Sequence, residues 1–227
     1  MSKFKKTIVI SLGGSLISPY EIDVEYLKKF KKIIEKFVKR GFKFVIVTGG
    51  GKICRKYNQA ARELNKKVKP VELDWLGIKA TKVNAELVKA MFGNLAYFKV
   101  IDTPVEKILE SKPIIMAGGW KPGASSDNMA VNLAKAFKAP VVINLSNVEY
   151  VHDKDPNKYK GAKPFKALSW ALYRRLIGNK WDPGANWPFD PIASKLAQKL
   201  KLEVVIINGH NLDKYLSNKK FKGTIIK

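Results

Sequence analysis

The amino-acid sequence predicts an α/β fold, with a doubly wound and mostly parallel sheet sandwiched by helices. Short, nearly continuous runs of isoleucine and valine alternate along the chain with amphipathic stretches that have helical spacing. Runs that are apolar at every position are typical of strands buried on both faces of a parallel sheet. Their alternation with helices favours right-handed crossover connections between neighbouring strands.

The individual elements follow from this pattern in chain order. The predicted strands are residues 7–12, 42–48, 113–116, 140–144, 203–207 and a short 224–226. The predicted helices are residues 24–39, 53–65, 75–91, 128–137 and 192–200. Asp23 and Asp127, the latter within the run 125–127, are cap-type residues before two of these helices. Residues 148–186 are richer in glycine and proline, and we expect a second lobe with hairpins there.

Length and composition limit the class of protein. The chain has 227 residues, of which 46% are apolar, enough for the core of one large domain. No apolar run reaches the roughly 20 residues that span a bilayer, so we expect a cytoplasmic protein with no membrane partner. Cys54 is the only cysteine and there are two histidines, which excludes a disulfide framework and disfavours a zinc site. No metal site built from protein ligands is predicted.

The net charge of +24 is the most prominent feature of the composition. A charge of this size would favour nucleic acid electrostatically. However, the 43 basic residues comprise 38 lysines and 5 arginines, and the lysines are spread over every segment of the chain. Arginine is the preferred residue for bidentate phosphate and base contacts. We therefore predict no nucleic-acid partner; the excess charge either covers solvated faces or attracts anionic substrates.

Three glycine-rich turns carry the strongest functional signal. They are Gly13-Gly14-Ser15, Gly49-Gly50-Gly51-Lys52 and Gly118-Gly119, each of which follows a predicted buried strand. Ligands of open parallel sheets bind at the carboxyl ends of the strands. Glycine at that edge lets backbone N–H groups approach phosphate oxygens. Three such turns at equivalent positions predict a cleft that binds several phosphates.

The common motifs for other chemistries are absent from the sequence. It contains no G-x-x-x-x-G-K-[ST] loop, no G-x-G-x-x-G dinucleotide motif and no G-x-S-x-G nucleophile elbow. Phosphoryl transfer needs none of these, because it depends on positioning and on cations around the transferred group. The sequence therefore favours a phosphotransferase.

An ordered set of motifs resembles the amino acid kinase family over nearly the whole chain. In order, the motifs are Ser11-Leu12-Gly13-Gly14-Ser15, Thr48-Gly49-Gly50-Gly51-Lys52, Gly118-Gly119 with Ser125-Ser126-Asp127, Asn147-Val148 with Asp155-Pro156, and Asp190-Pro191-Ile192-Ala193-Ser194-Lys195. Arg55-Lys56-Tyr57 and Asp74-Trp75-Leu76-Gly77-Ile78 are most similar to archaeal-type UMP kinases. The resemblance implies one domain over residues 1–227, with an acceptor-binding lobe at about 1–140 and an ATP-binding lobe at about 141–227.

The resemblance also implies an activity and a set of site residues. The activity is transfer of the ATP γ-phosphate to UMP, with Mg²⁺ bound to ATP, in a homo-oligomer that is commonly a hexamer. The catalytic residues implied are Lys195, which would neutralise charge on the transferring group, and Asp127, which would orient that lysine and organise charge around the phosphates. The residues implied for ATP are Gly13, Gly14, Ser15, Gly51, Arg55, Ser146, His152 and Asp155. Those implied for UMP are Gly50, Asp74, Trp120, Lys121, Pro122, Gly123, Ala124, Ser125 and Ser126.

Several positions depart from the family pattern. Many members have lysine where Ser11 stands, a glycine where Tyr150 stands and an aromatic residue where His152 stands. Trp120 is bulkier than the usual residue, and Trp187, like Trp181, either stacks on a base or closes the adjacent loop. Two alternatives to a UMP kinase therefore stay open: a kinase of the same fold for another phosphate or carboxylate acceptor, and a non-catalytic nucleotide- or oxyanion-binding protein. Nucleic-acid binding rests on charge alone.

Overall fold

The computed structural model describes residues 4–104, 112–156, 158–178 and 187–227. Its strands are β1 Lys6–Leu12, β2 Phe42–Thr48, β3 Ile114–Ala117, β4 Val141–Ser146, β5 Val151–His152, β6 Pro164–Phe165, β7 Ala167–Leu168, β8 Glu203–Asn208 and β9 Gly223–Ile226. Its α-helices are α1 Gly14–Ile17, α2 Val24–Lys39, α3 Gly51–Leu64, α4 Pro70–Phe92, α5 Ser126–Ala136, α6 Trp170–Ile177, α7 Pro191–Lys199 and α8 Leu212–Leu216. Short 3₁₀ turns occur at Gly93–Leu95 and Gly209–Asn211.

One seven-stranded sheet runs through the described chain, in the order β3-β2-β1-β4-β8-β9-β7. The five strands from β3 to β8 are mutually parallel, whereas β9 pairs with β8 in the antiparallel direction. The two-residue strands β5 and β6 form a separate antiparallel pair. Because β1, β2, β3, β4 and β8 run in one direction, their carboxyl ends share one edge of the sheet.

A hydrophobic core lies on each face of this sheet. On one face, Ile8, Ile10 and Leu12 of β1 pack with α2, α4 and α8. On the other face, Val9 of β1 packs with α5, α6 and α7. Since alternate residues of β1 enter opposite cores, the sheet is buried on both sides, and this explains why the strands are apolar at nearly every position.

The predicted α/β fold with a mostly parallel sheet is confirmed. The helix predicted at 24–39 and the strand predicted at 42–48 have the predicted bounds. The Asp23 carboxylate accepts a hydrogen bond from the Tyr26 amide at 2.8 Å, as a helix cap should. The other predicted elements are present with ends shifted by a few residues, the largest shift being the start of α4 at Pro70.

One local prediction was wrong, and one helix was not predicted. Asp127 does not cap α5: the Oγ atom of Ser125 accepts the hydrogen bond from the Asn128 amide at 3.1 Å, and Asp127 lies in the first helical turn. Residues 148–186 contain not only the antiparallel β5–β6 pair but also the helix α6, whose buried Trp170, Tyr173 and Ile177 enter the second core. Residues 179–186 lie outside the described part of the chain.

Candidate active site

The glycine-rich turns meet at the carboxyl edge of the parallel strands. Gly13 follows β1 and its amide donates to the Leu145 carbonyl of β4 at 2.7 Å. Gly49 follows β2 and its amide donates to the Leu12 carbonyl of β1 at 2.8 Å. The last residues of three neighbouring strands are thus tied together, and the turns that leave them lie side by side.

The first two turns pack so closely that neither has room for a side chain. A Cβ atom on Gly51 would lie 2.5 Å from the Gly14 carbonyl oxygen, and a Cβ atom on Gly49 would lie 2.7 Å from the Gly14 nitrogen. Gly51 also has a φ of +65°, a conformation that strains residues with a side chain. The result is a surface made of backbone at the start of α3, where peptide N–H groups can bind an anion.

Helix α4 links the second turn to the third. The Asn84 amide donates to the Gly49 carbonyl at 2.8 Å, and the Thr81 hydroxyl accepts the Gly119 N–H at 2.6 Å. At the start of α4, the Asp74 carboxylate accepts the Gly123 N–H at 2.9 Å. These contacts hold residues 118–124 beside the turn at Gly49–Gly51, on the same edge of the sheet.

Asp127 lies under this edge, on α5, and its carboxylate is held by three donors. The Ser11 hydroxyl and the Asn144 amide donate to Oδ1 at 2.9 Å and 3.0 Å. The backbone N–H of Asp190, the cap residue of α7, donates to Oδ2 at 3.2 Å. Asp127 is therefore fixed by β1, β4 and α7 at the point where those elements meet.

The surroundings raise the pKa of Asp127. Burial is the main cause, because it disfavours the charged carboxylate, and the negative charge of Asp190 acts in the same direction. The hydrogen bonds from Ser11 and the Asp190 N–H oppose the shift. The resulting pKa is about 6, against 3.8 for an ordinary aspartate, so the group is ionised at neutral pH but titrates close to it.

The predicted ATP-side residues occupy the loops after β4. The Ser146 hydroxyl, at the end of β4, accepts the Val148 N–H at 3.1 Å. His152 is on β5, with its Nδ1 atom 3.1 Å from the Tyr150 carbonyl oxygen. Asp155 is exposed, and its carbonyl accepts the N–H groups of Lys158 and Tyr159 at 3.1 Å and 2.9 Å.

The predicted cationic residues are more exposed than Asp127. Arg55 lies one helical turn into α3, on its solvent side. Lys195 is exposed on α7 and lines a groove of about 550 Å³ with Asn128 of α5 and the neighbouring Lys199. Among the residues that the structure describes, Lys195 forms no ion pair with Asp127, so the predicted contact between the two is not made here.

The remaining predicted acceptor residues form the turn before α5. Trp120 is partly buried against the second core, and the Lys121 ammonium lies 4.3 Å from the centre of its ring. Pro122 and Ala124 follow in the same turn, which ends at the cap Ser125, and Ser126 is the first residue of α5. Trp187 is 42% exposed, whereas Trp181 lies outside the described residues.

Comparison with known proteins accounts for this arrangement. The sequence pattern of the amino acid kinase family matches residues 6–208. The chain belongs to the amino acid kinase family. It is 35% identical over 224 residues to the uridylate kinase of Thermoplasma volcanium, with 94% of each chain covered. It is 34% identical over 206 residues to the uridylate kinase of Methanocaldococcus jannaschii, covering 89% of this chain and 90% of that relative.

A solved structure of an amino acid kinase relative agrees with the fold. The uridylate kinase from Archaeoglobus fulgidus superposes with a TM-score of 0.83 at 31% identity, covering 97% of this chain and 99% of that one. The similarity extends over nearly the full length of both chains, so the family assignment applies to the whole molecule. The predicted resemblance to archaeal-type relatives is confirmed.

Side chains in the described ranges are not clustered as a metal site built from protein ligands would require. Within the described ranges, no group of three or more histidine, cysteine, aspartate or glutamate side chains could hold an ion. Both oxygens of Asp127 already accept hydrogen bonds from the protein. Magnesium commonly binds through substrate phosphates and water.

The sequence reasoning missed three residues of the site. Asn144 was read only as the end of a buried strand, although an asparagine inside an Ile/Val run is a recognisable signal. Asn84 and Thr81 stand at ordinary positions of α4, and nothing in their local sequence distinguishes them. Their roles depend on where α4 crosses the edge of the sheet, which no local pattern specifies.

Proposed function

We propose that this chain is an ATP-dependent UMP kinase, which transfers the γ-phosphate of ATP to UMP and gives UDP. The observation that carries the proposal is the meeting of the Gly13–Gly14 and Gly49–Gly51 turns at one sheet edge above the partly buried Asp127. A surface of backbone donors with an adjacent carboxylate suits the transfer of a phosphoryl group between two anions. The choice of UMP rests on the full-length similarity to uridylate kinases.

In this proposal ATP binds on the side of β4. Its phosphates accept hydrogen bonds from the backbone of the first two turns, including Gly13, Gly14, Ser15 and Gly51. Arg55, one turn into α3, supports the same phosphates through its guanidinium group. The nucleoside part lies along the loops after β4, which carry Ser146, His152 and Asp155. This corresponds to an ATP-binding lobe at about residues 141–227.

UMP binds on the side of β2 and β3, in an acceptor lobe at about residues 1–140. Gly50 faces the acceptor phosphate, and Asp74 accepts hydrogen bonds from the nucleoside part. The turn that Asp74 fastens through Gly123 closes around the nucleotide. The UMP-binding residues of that turn are Trp120, Lys121, Pro122, Gly123, Ala124 and Ser125, and they are followed by Ser126 at the start of α5.

The reaction is an in-line displacement at the γ-phosphorus, for which the protein supplies position and charge rather than a covalent nucleophile. The backbone donors of the glycine turns stabilise charge on the transferring group. Lys195 reaches this group from α7 when substrates are bound, and Asp127 orients it. Mg²⁺ carried by ATP neutralises part of the phosphate charge. The enzyme acts in the cytoplasm as a homo-oligomer, with a hexamer expected from the family resemblance.

No helix in the described ranges has the length and apolar character that crossing a bilayer requires.

An acceptor screen tests the proposal. Purified protein is supplied with MgATP and with UMP, CMP, isopentenyl phosphate or acetylglutamate in turn, and ADP formation is followed in a coupled assay. We expect turnover with UMP to exceed that with each other acceptor by at least about tenfold. Preferred turnover of another acceptor would replace UMP in the proposal. ATP binding without turnover of any acceptor would instead support a nucleotide-binding protein.

A further inference from the structure

Ser11 and Asn144 stand opposite each other in the centre of the sheet. They are paired in the register of the parallel strands β1 and β4. They share the sheet face of Val9 and Val142, which is the face covered by α5. Both are buried, with 4% and 6% exposure, and each directly follows an apolar run, Ile8–Ile10 in β1 and Val141–Ile143 in β4. A buried polar group lowers stability unless it finds a partner, so the pair calls for an explanation.

Both side chains donate to the same oxygen. The Ser11 hydroxyl and the Asn144 amide lie 2.9 Å and 3.0 Å from Oδ1 of Asp127. Two donors from adjacent strands, converging on one atom, fix the rotation of the carboxylate about its Cβ–Cγ bond. Oδ2 then has one donor from the protein, the Asp190 N–H. An oxygen that accepts one hydrogen bond has capacity for another.

The charged groups around Asp127 do not stabilise its negative form. Asp190, the cap residue of α7, contributes a like charge, and the Asp127 charge in turn helps to raise the pKa of the Tyr173 phenol on α6, which donates to the Phe189 carbonyl at 2.8 Å. No lysine or arginine in the described parts of the chain is within ion-pair distance of Asp127. The opposing contribution comes from uncharged donors alone.

We propose that Ser11 and Asn144 are positioning residues for phosphoryl transfer, a pair of neutral donors that holds the Asp127 carboxylate charged and in one orientation. The proposal rests on the function proposed above. Hydrogen bonds to the charged form of a carboxyl group favour that form. The pair thus offsets part of the desolvation that burial imposes on Asp127, and it does so without adding a positive charge.

Loss of either donor has a defined consequence. A hydrogen bond to a charged group contributes enough to move a carboxyl titration by about 1–2 pH units. Removal of one donor therefore raises the titration midpoint of Asp127 from about 6 towards neutrality. The acid limb of the rate profile moves upward with it. A purely structural role for the pair predicts lower stability with no movement of either curve.

The test compares four variants with the wild-type chain. Ser11→Ala and Asn144→Leu each delete one donor, while Ser11→Thr keeps the hydroxyl. Asn211→Leu is the matched control, because Asn211 has the same 6% exposure and bonds to the Lys222 N–H rather than to Asp127. Should Asn144→Leu fail to fold, Ser11→Ala, which removes a single oxygen, carries the test.

Two measurements are made on each folded variant. Carbon-13 NMR of aspartate-labelled protein follows the Asp127 carboxyl from pH 4 to 9, with Asp127→Asn assigning the signal. Steady-state kinetics give kcat and KM for UMP over the same range. We expect both curves to move up by about one pH unit in Ser11→Ala and Asn144→Leu. At pH 6 a rise of one pH unit lowers the ionised fraction of Asp127 from about one half to about one tenth, so we expect kcat to fall about fivefold, with KM for UMP changed less than about twofold.

Unchanged titration in folded Ser11→Ala and Asn144→Leu overturns the proposal. So does a similar shift in Asn211→Leu, or a failure of Ser11→Thr to restore the wild-type profile. The carboxyl titration does not depend on turnover. If the wild-type chain forms no UDP, the proposed function fails while the NMR arm still measures whether the two donors hold Asp127 charged.

Discussion

At the scale of single residues, the Asp127 carboxylate lowers the stability of the fold, and it is also the group for which we propose a role in phosphoryl transfer. Burial of a carboxylate disfavours its charged form. In the described part of the chain, three hydrogen bonds stabilise the charged form of Asp127, and no ion pair does. The pKa of about 6 shows that these bonds compensate only in part. A residue that weakens the fold and yet is held by three elements is typical of a functional site.

Asp127→Asn tests this balance directly. The folded pKa of about 6 lies above the ordinary 3.8, so the folded protein binds this proton more tightly than the unfolded chain does. Wild-type stability from this group therefore falls as pH rises from about 4 to 6, and stays lower above that range. Relative to wild type, the free energy of unfolding of Asp127→Asn should rise by about 2 kcal/mol across this window, measured by urea denaturation.

The same substitution should lower kcat by about a hundredfold or more, because it removes the charge that we propose organises the transfer. Retention of near wild-type turnover would remove Asp127 from the mechanism. A difference in stability that does not change between pH 4 and 7 would show that its pKa is not raised.

Lys195 offers a second test at this scale, with an internal control. Lys199 lies one helical turn further along α7, is also exposed and lines the same groove. Lys195→Ala is expected to reduce kcat by about a hundredfold or more while ATP binding, followed by calorimetry, changes little. Lys199→Ala should leave kcat within about twofold. Equal effects of the two substitutions would assign the loss to the charge of the groove and not to Lys195.

At the scale of elements, α4 organises the site although its sequence gives little sign of this. Its contacts through Asp74, Thr81 and Asn84 reach two of the three glycine turns. The sequence predicted the helix and the turns, because the spacing of apolar residues and the glycine-rich segments between elements are local signals. It predicted Asp74 only through resemblance, and it missed Thr81 and Asn84, whose partners are distant along the chain.

The ends of the strands were harder to predict than their centres. Ile/Val runs mark the buried centre of β4, but its last residue, Ser146, is polar and looks like the start of a loop. Ser125 was not singled out as the cap of α5, since residues 125–127 are all capping types and only geometry selects among them. Short elements such as α6 depend on packing against the second core rather than on local preference.

The packing of the glycine turns yields a prediction for the loop after β2. Gly51→Ala places a Cβ atom 2.5 Å from the Gly14 carbonyl, at a φ of +65°. We expect a loss of about 1–3 kcal/mol in the free energy of unfolding and at least a tenfold fall in kcat/KM for ATP. Gly161→Ala is the control, because that glycine has open space around it and should change stability by less than about 0.5 kcal/mol. Wild-type stability in Gly51→Ala would contradict the close packing.

At the scale of the whole molecule, the charge of +24 sets the conditions under which the fold is stable. Repulsion among like charges opposes the compact state. Only a handful of ion pairs join the described residues, and most of them are on the surface, where such pairs contribute little. The two apolar cores therefore stabilise the fold against the repulsion of its own lysines.

Screening this repulsion should stabilise the protein without any change in its contacts. The Debye length falls from about 30 Å at 0.01 M salt to about 8 Å at 0.15 M, which is shorter than most separations between lysines spread over every segment. We expect the Tm to rise by a few degrees between these concentrations of sodium chloride, measured by calorimetry without nucleotide.

Sodium sulfate at matched ionic strength separates general screening from anion binding at the glycine turns. If screening dominates, the two salts raise the Tm equally, both in wild type and in Gly51→Ala. If the turns bind sulfate, sulfate raises the Tm of wild type more than chloride does, and this difference disappears in Gly51→Ala. A Tm that stays constant or falls with sodium chloride would show that the lysines are spaced widely enough for their repulsion not to limit the fold.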